Sequence, residues 1–144
     1  MNCLKTFLFL LTLLIVSCSD SFEQEFDNYT EFSQANLRQK SWFPDLISKD
    51  AYSIKSESSL APLCDFGTYK YTNNKYYDSV FSIDNHQRVD FSTFMQKVKE
   101  HADGKPNWFL NIDLEKQSLE SIKVDRFYIA RQKENRQIYF ILSN

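Results

Sequence analysis

The apolar run at residues 7–16 constrains this chain more than any other stretch, because its length decides what the rest must do. It is broken only by Thr12 and follows a start, residues 1–5, with a single positive charge at Lys5. A helix crossing the hydrocarbon core needs roughly 20 apolar residues, about twice what this run supplies. A basic start, a short apolar run and the small Ser17 at its end together mark a segment that directs export and is then removed. No later run is long enough to enter a bilayer. The remaining chain must therefore bury its apolar side chains against itself.

The run ends in Ile15-Val16-Ser17-Cys18. A branched apolar residue three positions before a cysteine, with a small residue at the cut, resembles the lipobox of bacterial lipoproteins. The resemblance implies cleavage before Cys18, a thioether from its thiol to diacylglycerol, and acylation of the new amino group. More than one acyl chain gives lasting attachment to a membrane, which a single chain does not. The expected partner of Cys18 is thus the lipid bilayer, and the expected location is the bacterial cell envelope, periplasmic or surface-exposed. Residues 1–17 are then a signal peptide, 18–37 an acidic tether and 38–144 one domain.

Removing the first seventeen of 144 residues leaves 127, enough to bury a core without staples. Lys5 leaves with the signal, so sixteen basic residues face nineteen acidic ones, and no positive field for nucleic acid exists. Cys3 leaves as well. With Cys18 carrying lipid, Cys64 has no partner in its own chain, although an envelope protein lives under oxidising conditions. Beside Phe66 it reads as a small buried hydrophobe. A reactive thiol and an intermolecular disulfide are the sharper alternatives.

Residues 19–31 hold Asp20, Glu23, Glu25, Asp27 and Glu31 with no basic residue, the pattern of a self-repelling tether. Phe22, Phe26, Tyr29 and Phe32 recur every three or four residues, so part of this stretch also fits a short amphipathic helix docked on the domain. Residues 33–40 suit a helical turn or two. Trp42, Pro44 and Ala51 follow, and 52–55 read as extended. These three residues resemble the start of a group of small bacterial envelope proteins. There a Trp-Ile/Leu-Pro segment leads through a second proline and an alanine into the first strand. Ser48 stands here for that second proline, and the resemblance implies no activity.

Residues 64–71 alternate, and 76–83 bring Tyr77, Phe81 and Ile83 into phase around Asn73-Asn74, which predicts a β-hairpin. Phe91, Phe94, Met95, Val98 and Ala102 follow the 3.6-residue period, with Asp90 or Ser92 as cap and Gly104 and Pro106 as stop. Residues 108–114 alternate as a strand, and 127–131 with 138–142 make a last antiparallel hairpin. The predicted class is α+β, an antiparallel sheet of about five strands with one main amphipathic helix at about 90–103.

No constellation announces a reaction. His86 and His101 are too few and too far apart in sequence for a metal site, and no cofactor motif occurs. Cys64 with either histidine would be the only nucleophile–base pair to test. Lys123, Arg126, Arg131, Lys133 and Arg136 make the last hairpin basic, a face for an acidic partner or anionic lipid headgroups, or simply a guarded sheet edge. The expected function is a membrane-anchored envelope lipoprotein whose domain is a non-catalytic binding or interaction module for a protein partner. The alternatives are an immunity protein that blocks a toxin at the envelope, and a small enzyme with an unrecognised site.

Overall fold

The structure is a computed structural model, and it describes residues 21–60, 63–82, 86–110 and 119–143. The apolar run, Cys18 and most of the predicted strand 108–114 lie outside the described residues. One antiparallel sheet dominates. Its seven strands are β1 (Ser21–Asn28), β2 (Ala51–Leu60), β3 (Leu63–Tyr71), β4 (Gln87–Arg88), β5 (Glu120–Val124), β6 (Phe127–Gln132) and β7 (Gln137–Ser143). They lie side by side in the order β1-β2-β3-β7-β6-β5-β4. Three short helices accompany them: α1 (Tyr29–Gln34), α2 (Lys75–Val80) and α3 (Phe91–Glu100).

This corrects the predicted class. The protein is sheet-dominated, with seven strands and three short helices among the described residues in place of about five strands and one main helix. Two segments account for most of the difference. Residues assigned to the acidic tether form β1, which pairs with β2 from Ser21↔Ser59 to Asn28↔Tyr52. Acids at every second position repel along an isolated chain. On an edge strand they share one face, and Lys55 of β2 reaches Glu23 at 2.5 Å and Glu25 at 3.7 Å. The predicted second hairpin strand is instead α2. A spacing of four, Tyr77 to Phe81, satisfies both a strand and a helix, and Val80 settles it by burying beside them. The side chain of Asn73 accepts from the Lys75 N–H at 3.1 Å, so the expected turn residues start a helix.

Side chains leave a strand alternately to its two faces, and here both faces are covered. One face carries Ile54, Tyr69, Phe140, Ile129 and Ile122, packed under Phe32, Phe43, Ile47 and Tyr77. The other carries Phe66, Ala130, Tyr139 and Ile141, packed under Phe94 and Val98 of α3 and Phe109 of the following loop. Central β7 is therefore buried from Ile138 to Ser143. Phe140 lies flat against β3 at Gly67, where an added Cβ would come within 1.9 Å of the ring. In β2, Ser53 has φ 49°, and the pairing shifts between Tyr52 and Lys55. That bulge turns both Ala51 and Ile54 towards the same core.

Candidate functional site

A cleft lies on the α3 face of the sheet, at the β1 end. Its volume is about 470 Å³. Ser21, Glu57 and Ser59 from β1 and β2 form one wall, and Cys64 and Phe66 from β3 form the floor. Glu100 and His101 at the end of α3, with the loop through Gly104 and Pro106, form the other wall. The stop signals read in the sequence thus put the helix end over the sheet. The Lys105 ammonium donates to the Phe109 carbonyl at 3.1 Å, which fastens the loop. Trp108 packs beside it, and its face meets the Lys55 ammonium at 5.3 Å.

Cys64 pairs across the sheet with Ser143, and the Ser143 hydroxyl lies 3.3 Å from His101 Nε2. The structure therefore brings Cys64 and His101 into one neighbourhood, as the nucleophile–base test required. His86 stays at the opposite edge, just before β4. The chemistry of the pair is nonetheless quiet. Burial, helped by the neighbouring Asp65 charge, pushes the Cys64 thiol up to about 12, so the thiolate is scarce at neutral pH. Among the described residues His101 Nδ1 is buried with no hydrogen-bond partner, and none of their carboxylates orients the ring as a serine hydrolase would need. Among the described residues no group of three or more His, Cys, Asp or Glu is placed to hold a metal ion.

Acidic groups dominate the rim. Glu57, Glu100 and Asp103 line the cleft, and Glu23 and Glu25 continue the same face along β1. Lys97 holds Glu100 at 2.7 Å. A second polar group sits on the opposite face of these strands, where Gln24, Ser56, Ser58 and Asp65 have buried oxygens without partners. Burial pushes the Asp65 carboxyl up to about 8, and the nearby Ser58 hydroxyl offsets part of that without a well-formed hydrogen bond. Sequence reasoning missed both features, because each depends on which strands become neighbours.

The five basic residues do not form one surface. Arg131 points into the sheet and is only 3% exposed. Its guanidinium binds Glu120 and, at 3.0 Å, Asp78, and lies 4.7 Å from the Phe81 ring centre. Lys133 joins the same Asp78 at 3.0 Å, and Arg136 donates to the Thr72 carbonyl at 2.7 Å. Lys123 sits over Tyr128 at 5.4 Å. Arg126 is at the other end of β6 from Lys133, about 20 Å away at the usual rise per strand residue. Alternation along β6 explains Arg131. Its odd position shares a face with Phe127 and Ile129, and α2 brings Asp78 to meet it.

Residues 20–60 match the family model described as the YbbD head domain. The matched stretch runs from β1 through α1 to the end of β2, less than a third of the chain. The match fits a small bacterial envelope protein. No curated protein and no solved structure matches the chain. Among the described residues no helix is long and apolar enough to cross a membrane.

Proposed function

We propose that this chain is a lipid-anchored lipoprotein of the bacterial envelope and that its domain is a non-catalytic binding module for a protein partner. The observation that carries the binding half is the cleft of about 470 Å³ whose one thiol is held protonated. A concave, acid-rimmed surface with an inert sulfur is suited to holding a ligand without reacting with it. The anchoring half rests on the short apolar run ending at Cys18, and the family match to residues 20–60 supports the envelope setting.

The deciding measurement is metabolic labelling with a palmitate analogue, followed by detergent partitioning in high salt. The wild-type protein takes up label and stays in the detergent phase, since salt releases electrostatic attachment but not an acyl chain. Cys18→Ala takes up none and accumulates as uncleaved precursor. Normal processing of that variant, or an unlabelled wild type, rules out the anchor.

A further inference from the structure

The two edges of the sheet differ. Beyond β5 the outermost described strand is β4, of two residues. At the other end β1 runs for eight residues and is the outermost described strand. Along a strand, the backbone N–H and C=O of successive residues point to opposite edges. The Asp27 N–H is taken by the Glu31 side chain at 3.1 Å, outside the pairing with β2, so the odd-numbered residues present their backbone outward. That leaves the outward groups of Ser21, Glu23 and Glu25 facing away from β2, with Glu31 closing the row at Asp27.

We propose that this outer edge of β1 receives an extended basic segment of a partner protein as an eighth strand. The proposal rests on reading the domain as a binding module. Backbone groups supply the attachment, as in other cases of strand addition, and the side chains select the sequence. On one face the incoming strand meets Glu23, Glu25 and Asp27, the two glutamates of which are shared by the single ammonium of Lys55. On the other it meets Phe22, packed against Trp42 with tilted rings whose centres are 4.3 Å apart, and Phe26 beside Phe32 at 5.7 Å. The fitting partner therefore alternates lysine or arginine with apolar residues. A second copy of this chain does not fit. Antiparallel β1–β1 pairing that continues both faces sets these acids opposite acids, which disfavours it.

The test uses the full chain in micelles of a neutral detergent and fluorescent eight-residue peptides, read by anisotropy. A peptide alternating Lys with Val binds, and one alternating Glu with Val does not. The Lys–Val peptide N-methylated on its β1-facing amides keeps its charge but binds about tenfold weaker or less, because the strand hydrogen bonds are gone. Glu23→Gln/Glu25→Gln/Asp27→Asn narrows the preference for Lys over Glu, while the N-methyl comparison on wild type is independent of how that variant folds. Equal binding of the methylated peptide, equal binding of the Glu–Val peptide, no binding of Lys–Val, or a dimer that the peptide dissociates each overturns the proposal. A protein cross-linked in intact envelopes through another face would end the edge assignment and leave the binding module standing.

Discussion

Asp65 faces Ser58 across the β2–β3 pairing, and neither of its carboxylate oxygens has a hydrogen-bond donor. Its pKa is 3.8 in the open chain and about 8 in the fold, raised by burial. The folded state therefore holds a proton that the unfolded state releases. Stability is full below about pH 4, declines by up to about 1.4 kcal/mol per pH unit above it, and levels off beyond pH 8. Asp65→Asn is expected to remove most of that slope and to stabilise the protein by a few kcal/mol at pH 8.5. Urea midpoints of both proteins at pH 5 and pH 8.5 test this, and parallel behaviour would mean that Asp65 ionises without cost. At this scale the sequence was partly readable. Cys64 was expected to be buried beside Phe66, and both are at most 3% exposed. Asp65 between them gave no warning, because an acid in an alternating strand is normally on the solvent face and this sheet has no such face here.

At the scale of elements, α3 was legible and α2 and β1 were not. The helix at Phe91–Glu100 has Phe94 and Val98 buried, with Phe91 and Met95 half-buried, while Ala102 falls outside it and is exposed. Its period is unambiguous because five apolar positions repeat over three turns. Phe94→Ala is expected to cost about 3–5 kcal/mol, since its ring packs on Phe91 and Phe109 at 5.9 and 6.5 Å and is fully buried. Lys97→Ala removes an exposed pair with Glu100 and a contact with Tyr128, and is expected to cost less than about 1 kcal/mol. Chemical denaturation of the two variants separates the predictions. In α2 the helical signal lay in a single residue, Val80, too little to outweigh a two-residue period. In β1 the alternation of acids with Phe22, Gln24 and Phe26 was present, but four aromatics at helical spacing competed with it. Only the pairing with β2 removes that ambiguity.

For the whole molecule, the boundary between tether and domain moves towards the N-terminus. The acidic pattern of residues 18–37 reads as a tether, whereas Ser21–Asn28 belong to the sheet and Phe32 of α1 is buried against Phe43 at 4.9 Å. A chain starting at residue 19 is expected to melt cooperatively. One starting at residue 38 loses β1 and Phe32, exposes the flank of β2, and is expected to lose several kcal/mol or fail to fold. Circular dichroism melts compare the two, and equal midpoints would return this stretch to the tether. The candidate cleft was invisible from sequence for the same reason as the boundary. Its walls come from β1, β2, β3 and the end of α3, segments up to about eighty positions apart that only the strand order brings together.

The place of Ser21 in β1 also bounds a height. On the proposed anchoring, three residue steps separate Cys18 from the first described residue of the sheet, a reach of at most about 11 Å. So short a span would hold the domain close to the lipid. The corner of the sheet holding Ser21 and the mouth of the cleft would ride at the level of the headgroups. A partner would then have to approach along the plane of the membrane, in a two-dimensional search, or be anchored there itself.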